Sequence, residues 1–418
     1  MPPDGENTGE PRPAGQTPTV GATRATATAP RHLRQFLALD DFEAAAERHL
    51  PRMLYGFVSG AAETDASLRD NRAAFGELGF VPRVLADVSG RQTGTSLLGR
   101  RYAAPFGIAP MGASALSAYR GDLVFARATA AAGIPMILSA SSLIPLEDVR
   151  AEGLTAWYQA YLPGEPTRIE ALVDRVAAAG FDTFVLTADV PVSANRENNV
   201  RNGYSLPLRP NARLAWEGIS HPHWLFGTAL RTLWRHGMPH FENMDATRGP
   251  PVLSSNLIRA IGRRDGLSWE HLELIRARWD GHLLVKGILS AEDARIARDC
   301  GADGVIVSNH GGRQLDGTVA PLRVLPEIAA VAGGMAVILD CGIRRGTDVL
   351  KALALGARAV LIGRPIHWGL AVADEAGVRH VLELLRAELA LDLMLCGLAS
   401  PAEVDRSLLV PSGASNHF

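Results

Sequence analysis

Cysteine is scarce in this chain. Cys300, Cys341 and Cys396 are its only three in 418 residues, and their spacing matches neither a metal site nor a disulfide framework. No metal is therefore expected, and the pattern fits a reducing cytoplasm. Net charge is almost absent as well: the formal value of −2 gives no reason to expect nucleic acid or another polyanion as a partner. No apolar run reaches the length of a membrane span. The opening "MPPDGENTGEPRPAGQTPTVGATRATATAP" holds no apolar block, so neither a signal peptide nor an anchor is expected there. Its Pro, Thr, Gly and Ala content predicts a disordered tail over residues 1–32.

What remains is ordinary for an α/β protein with a sizeable core: 47% hydrophobic and 21% charged residues. From about residue 100 a short apolar run ending in small or polar residues recurs, usually followed by an Ala/Leu/Arg-rich helical pattern. The runs are "PFGIAP" (105–110), "PMILSA" (135–140), "AWYQAY" (156–161), "TFVLTAD" (183–189), "HLLVKG" (282–287), "GVIVSN" (304–309), "AVILD" (336–340) and "AVLIG" (359–363). Near-continuous apolar strands alternating with helices imply a parallel sheet covered by helices, and eight such units imply a closed (β/α)8 TIM barrel. "SAEDARIARDCG" opens on a Ser N-cap with acidic residues in its first turn, and it ends at Gly, as "RGTDVLKALALG" does. Residues 33–100 would form an N-terminal helical cap, with "LDDFEAAAERHLPRMLYGFV" helical. Residues 101–408 would form the barrel and 409–418 a C-terminal tail. The stretch 203–265 after strand four is too long for an ordinary connection and should be functional or mobile.

Barrel enzymes work at the C-terminal ends of their strands. Those ends supply Pro110, Ser139, Gln159, Tyr161, Thr187, Asp189, Lys286, Ser308, His310, Asp340 and Gly363. Gly342 and Arg344 in "DCGIRRGTD", with Gly363 and Arg364 in "IGRP", combine close backbone approach with guanidinium charge where barrels commonly bind phosphate; glycine turns with surface arginines are the plainer reading. A phosphorylated ligand held there would bring a polar ring system to Gln159, Thr187, Lys286 and Ser308. His310 with Asp189 suits general acid–base work, the carboxylate orienting the imidazole and stabilising its cation. Arg313, three residues after His310, and Arg196 in "NRENNVRNG" are two guanidiniums suited to one carboxylate.

The stretches "SNHGGRQLDG", "VKGILSAEDAR", "RRGTDVLKALALGARAVLIGRP" and "LTADVP…NRE" closely resemble the FMN-dependent 2-hydroxy-acid oxidases and dehydrogenases, a likeness running from about residue 36 to 408. The resemblance implies FMN as cofactor and oxidation of an (S)-2-hydroxy acid to the 2-oxo acid. It makes His310 the base, paired with Asp189, and gives the substrate carboxylate to Arg313, Arg196 and Tyr161. Lys286 would stabilise negative charge at N1/O2 of the reduced flavin. Pro110, Met111, Gly112, Ser139, Gln159 and Thr187 would line the isoalloxazine and ribityl chain, with Ser308 nearby. Asp340, Gly342, Arg344, Gly363 and Arg364 would hold the ribityl and phosphate end. A homo-oligomer, often a tetramer in this family, is also implied.

Three positions depart from the pattern. Phe57, in "LYGFVSGAAET", stands where the family usually has a tyrosine whose hydroxyl meets the substrate carboxylate. Losing one neutral hydrogen bond costs roughly 0.5–1.5 kcal/mol, less than a bidentate arginine contributes, so a changed substrate preference is expected rather than lost activity. Ala140 and Ser141 stand where some small-acid oxidases place a bulky aromatic, which points to medium, bulky or aromatic acids. Cys341 replaces a common glycine and reads as a small packed residue.

In the long insertion, "HPHWLFGTALRTLWRHGMPHF" (221–241) places Trp224, Leu225, Phe226, Leu230, Leu233 and Trp234 beside Arg231 and Arg235. Two readings stay open: a lid helix packed over the barrel mouth or a neighbouring subunit, the one favoured, and a peripheral membrane contact. The electron acceptor follows the same division, with a quinone suiting the membrane, and oxygen or a carrier protein suiting the lid. An FMN-dependent isomerase and a flavin binder without catalysis are the alternatives. The grouping of His310, Asp189, Arg313 and Lys286 argues against both.

Overall fold

The structure is a computed structural model that describes residues 29–152, 156–205, 212–254 and 264–412. Eight parallel strands close into a barrel in chain order: β1 (Phe106–Ile108), β2 (Met136–Ser139), β3 (Ala156–Ala160), β4 (Thr183–Thr187), β5 (His282–Ile288), β6 (Gly304–Val307), β7 (Ala336–Leu339) and β8 (Ala359–Ile362), with β8 returning to pair with β1. A helix follows each strand: α1 (Gly121–Ala132), α2 (Leu146–Glu152), α3 (Pro166–Ala178), α4 (Trp269–Arg278), α5 (Ala291–Asp299), α6 (Pro321–Val331), α7 (Gly346–Ala354) and α8 (Arg364–Leu395). The last bends sharply where Ala373 and Asp374 leave helical geometry.

The period of two along each strand divides the core into two layers. Ile137, Trp157, Val185, Leu284, Ile306, Ile338 and Leu361 form one cluster inside the barrel. Their neighbours Leu138, Tyr158, Phe184, Val285, Val305, Leu339 and Val360 face the other way, into the core shared with the helices. Because both faces are buried, the strands read as apolar runs without alternation. A hairpin of Thr95–Leu97 and Arg100–Tyr102 adds Leu97 and Tyr102 to the interior cluster beside Trp157 and Ala359, which lie in the first two positions of their strands. It plugs the end of the barrel opposite the strand C-termini.

The helix signals hold at particular atoms. Ser290 Oγ accepts the Asp293 N–H at 3.0 Å at the start of α5, and Gly301 and Gly356 follow the ends of α5 and α7 with φ of +85° and +106°. The stretch "LDDFEAAAERHLPRMLYGFV" is helical as expected, in two helices, Asp41–His49 and Arg52–Ser59. Pro51 is the reason: it removes a backbone donor and drives Leu50 into extended geometry (φ −87°, ψ 143°). A third cap helix, Ala66–Gly76, follows.

Two edges of the reading differ from the structure. Of the expected tail over 1–32, residues 1–28 lie outside the described residues; Ala29 is buried, and Arg31–Leu33 forms a 3-10 turn whose Leu33 enters the core. Of the expected C-terminal tail, 413–418 lie outside the description, but Leu409–Pro411 forms an antiparallel strand with Leu78–Phe80 and buries Leu409.

In the insertion, Ala212–Ser220 is helical, and a second helical run covers 222–236 with a π turn over Leu225–Leu230. This run is rooted on the loop after β1: Trp224 Nε1 donates to the Leu116 carbonyl at 2.7 Å, Arg231 stacks 3.9 Å from the Tyr119 ring centroid, and the Tyr119 hydroxyl meets His236 Nε2 at 2.7 Å. The other face of this run does not pack against the rest of this chain. Phe226, Leu230, Leu233 and Trp234 are exposed, Trp234 at 85%. The returning leg is fixed by Asn243, which accepts the Leu146 N–H at 2.9 Å and donates to the Ile144 carbonyl at 2.8 Å. Among the described residues no helix is long and apolar enough to cross a membrane.

Candidate active site

At the strand C-termini lies a cavity of about 570 Å³, within the range of small-ligand sites. Its charged floor comes from β4, β5 and β7. Lys286, 3% exposed, places Nζ 3.4 Å from Asp340 Oδ2 and 3.9 Å from Asp189 Oδ2, and donates to Ser308 Oγ at 3.0 Å. Ser308 Oγ donates in turn to Asp340 Oδ2 at 2.8 Å. Burial alone would depress the Lys286 ammonium, but the two carboxylates outweigh it and hold its pKa above the ordinary value. The closeness depends on Gly287. The β5–β6 register shifts there, its φ is +106°, and an added Cβ would stand 2.6 Å from Asp189 Cβ.

His310 follows β6 in a left-handed conformation (φ +58°), uncommon for a residue with a side chain. Its N–H donates to Ser308 Oγ at 3.0 Å, and its Nδ1 lies 2.9 Å from Asp189 Oδ1. Burial acts to raise the Asp189 carboxyl, yet His310 and Lys286 bring its pKa below the usual value. An ionised Asp189 can only accept, so Nδ1 of His310 carries the proton and Nε2 is free to take one. Nε2 faces the Tyr161 hydroxyl at 3.4 Å. Burial, opposed by Asp189, lowers the His310 pKa and leaves the imidazole neutral near pH 7.

Arg313 and Arg364 bind this loop to the cap. Arg313 Nη1 donates to the Val58 and Gly60 carbonyls at 3.2 and 3.0 Å. Arg364 donates to Ser59 at 3.1 Å and to Gly60 and Gly311 at 2.9 Å each. Both put positive charge at the C-terminus of Arg52–Ser59, where the helix dipole favours it. Asn71 and Asn309, both buried, exchange side-chain amide hydrogen bonds at 2.8 Å each. Arg196 donates to the Arg313 carbonyl and to Gln314 Oε1 at 2.9 Å each. Among the described residues Arg196, Arg264, Arg313 and Arg364 have no carboxylate partner. Burial, with Arg196 and Arg364 beside it, pushes Arg313 well below its ordinary pKa. Such a cation cluster is stabilised by an incoming anion.

The residues named from sequence converge here. Phe57, Pro110, Met111, Gly112, Tyr161, Arg196, Lys286, His310, Arg313, Asp340, Gly342, Arg344, Gly363 and Arg364 line the cavity. Ser139, Gln159, Thr187, Asp189 and Ser308 lie behind it, with Ser139 Oγ donating to Gln159 Oε1 at 3.0 Å. Gly342 has a reason other than approach to a ligand: at φ +83°, an added Cβ would stand 2.2 Å from the Asn71 carbonyl oxygen of the cap. Arg344 is already committed in part, pairing with Asp40 at 2.9 Å over the Trp368 ring. Cys341 is a packed thiol whose Sγ accepts the Gly311 N–H at 3.1 Å and whose pKa burial raises to about 12.

Sequence reasoning missed Tyr204, Phe241, Met244 and Arg264, all from the insertion and all lining the cavity. Arg264 stacks 4.5 Å from the Tyr161 ring centroid, and Phe57 stacks on Tyr204 at 4.4 Å. Only the length of the insertion signalled that it would reach the site.

The residues present suit a flavin mononucleotide. Gln159 Nε2 and Thr187 Oγ1 are buried polar atoms without a partner among the described residues, at the ends of adjacent strands, and Thr187 pairs in register with Lys286. Buried donors of this kind need an acceptor, which a polar ring supplies. At the other end, α8 starts at Gly363 with no side-chain cap, beside Arg364 and Arg344. Burial and the neighbouring Arg364 lower Arg344 to about 10, so a phosphate dianion would relieve both.

The sequence pattern of a family described as FMN-dependent dehydrogenase matches residues 46–411. An L-lactate dehydrogenase of Ectopseudomonas mendocina (strain ymp) is 40% identical over 378 residues, 89% of this chain and 98% of that protein. One from Pseudomonas aeruginosa (strain LESB58) is 39% identical, with the same shares covered. Among solved structures, a monotopic membrane protein, (S)-mandelate dehydrogenase, superposes with a TM-score of 0.83 at 36% identity, covering 90% of this chain and 99% of that one. A mandelate oxidase crystallised with 3,3-difluoro-2-hydroxy-3-phenylpropionic acid gives 0.73 at 37%, covering 90% and 98%. Fold, cavity chemistry and likeness over nine-tenths of its length agree: the chain belongs to the FMN-dependent dehydrogenase family and is an FMN-dependent 2-hydroxy-acid oxidoreductase.

Proposed function

We propose that this enzyme oxidises an (S)-2-hydroxy acid with an aromatic or branched apolar substituent to the corresponding 2-oxo acid, with His310 as its base. The observation that carries the reading is His310 Nδ1 at 2.9 Å from Asp189 Oδ1, beside guanidiniums that have no carboxylate of their own. FMN, when bound, supplies the two-electron acceptor. Arg313 and Arg196 take the substrate carboxylate, and the Tyr161 hydroxyl adds a neutral donor. His310 Nε2 accepts the hydroxyl proton, and Asp189 keeps the ring oriented and stabilises the imidazolium. Lys286 holds a fixed positive charge beneath the cavity, the counter-charge for negative charge delivered there. Phe57, Phe241, Met244 and the Tyr204 ring favour an apolar substituent.

The exposed face of Phe226, Leu230, Leu233 and Trp234, with Arg231 and Arg235 on the same helical run, favours peripheral attachment to a membrane, and with it a quinone as acceptor over oxygen. Anaerobic addition of (S)- and (R)-acids from glycolate and lactate to mandelate tests the substrate: selective bleaching of the flavin by (S)-mandelate or a branched (S)-acid is expected. Equal bleaching by glycolate would remove the size preference, and no bleaching by any acid would overturn the reading. Slow return of colour in air, but fast return with a soluble quinone, is expected of a dehydrogenase.

A further inference from the structure

Tyr204 is 5% exposed and lines the cavity, yet its hydroxyl is buried with no hydrogen-bond partner among the described residues. The fold aims it deliberately. Arg196 is the N-cap of the short helix Glu197–Asn202; Gly203 (φ +79°) ends that helix, and the Tyr204 N–H returns to the Asn199 carbonyl at 2.8 Å. One helix therefore carries a guanidinium at its start and a phenol just past its end. The Tyr204 ring lies on Phe57, 4.4 Å between centroids and 19° from parallel, and the Arg313 guanidinium sits 5.0 Å from the same Phe57 ring.

A buried hydroxyl without a partner is destabilising, so its presence needs a reason. The charged groups nearest it by field are Arg313 and Arg196, and a guanidinium has no acceptor to offer. Burial raises the phenol's pKa, so it remains a donor at neutral pH. Phe57 brings a ring to the stack and no hydroxyl. The acceptor must arrive with a ligand, and the arginines beside the phenol select an anion.

We propose that Tyr204 donates a hydrogen bond to the substrate carboxylate gathered by Arg313 and Arg196, supplying from the insertion the neutral donor that Phe57 cannot. This rests on the cavity being the hydroxy-acid site. The consequence is that the insertion takes part in recognising the acid, with the stacked Phe57–Tyr204 pair joining it to the cap.

The test uses FMN-loaded wild type, Y204F, F57Y and the Y204F/F57Y double variant. Binding of benzoylformate and of its uncharged primary amide is read from the perturbed flavin spectrum. Y204F should weaken benzoylformate roughly three- to tenfold and leave the amide nearly unchanged. KM for the acid should rise by a similar factor, with a much smaller change in kcat. F57Y should restore binding in the Y204F background. Because the hydroxyl has no partner in the ligand-free protein, Y204F should melt at the wild-type temperature or above. Unaltered benzoylformate affinity in Y204F would overturn the proposal, as would equal loss of acid and amide, or a lowered melting temperature with no rescue by F57Y. A wild type that no 2-hydroxy acid bleaches would instead overturn the functional reading itself.

Discussion

Asp189 Oδ1 stands 2.9 Å from His310 Nδ1, and the same carboxylate group lies 3.9 Å from the Lys286 ammonium through its other oxygen. One buried carboxylate thus orients the proposed base and balances a fixed cation. The base must be neutral to work, and burial has already moved its pKa below the ordinary histidine value. The acid limb of kcat/KM should therefore lie below pH 6.5, with activity lost as His310 protonates. Asp189→Asn removes the charge that supports the imidazolium, so the limb should move to still lower pH. The plateau should fall a hundredfold or more. A pH–rate profile of both proteins checks the two signs.

Replacing Lys286 with Met leaves Asp189 and Asp340 buried without their cation. Breaking such an arrangement costs about 3–5 kcal/mol, a fall in melting temperature that calorimetry of the holoenzyme would read. The pH dependence has a definite sign. The folded-state pKa of Asp189 is depressed, so its contribution is present above the unfolded carboxyl value and lost as pH falls through the folded one. In Lys286→Met that gain shrinks, and the penalty should be greater at pH 7 than at pH 4.

Asn71 and Asn309 join the cap to the loop that carries His310 and Arg313 by two mutual hydrogen bonds. Asn71→Ala should remove both of these bonds, leaving Asn309 only its contacts to the Val319 carbonyl and the Gly312 N–H, and destabilise the protein by about 1–2 kcal/mol in denaturant titration. It should also raise KM, since the same loop carries His310 and Arg313.

The helical run over 222–236 should bind phosphatidylglycerol vesicles through its exposed face. Phe226→Asp with Trp234→Asp should abolish co-sedimentation while leaving turnover with a soluble acceptor within about twofold, because both side chains point away from the cavity. Retained co-sedimentation would remove the membrane reading.

Much of this was legible before any coordinates. Eight apolar runs mark eight strands because a parallel barrel strand is buried on both faces, and His310, Asp189, Lys286 and Asp340 were legible because barrel topology collects strand ends at one rim. Other features depend on geometry that no local pattern encodes. The helical pattern around Pro51 is plain in the sequence, but the geometry that divides it into two helices is not. Leu409–Pro411 is too short to announce a strand and pairs with residues from the far end of the chain. Gly342 lines the cavity as expected, but the closeness of the Asn71 carbonyl, which also excludes a side chain there, could not be read from the sequence. Tyr204 and Arg264 reach the site through the insertion's path, which composition does not specify.

The most direct test of the central claim compares anaerobic flavin reduction by (S)-mandelate in wild type and His310→Ala, both loaded with FMN to the same absorbance. The account predicts rapid bleaching of the wild type and at least a thousandfold slower bleaching of His310→Ala, with its oxidised spectrum and benzoylformate binding retained. Bleaching at comparable rates would contradict it, because the proton would then leave the substrate without His310.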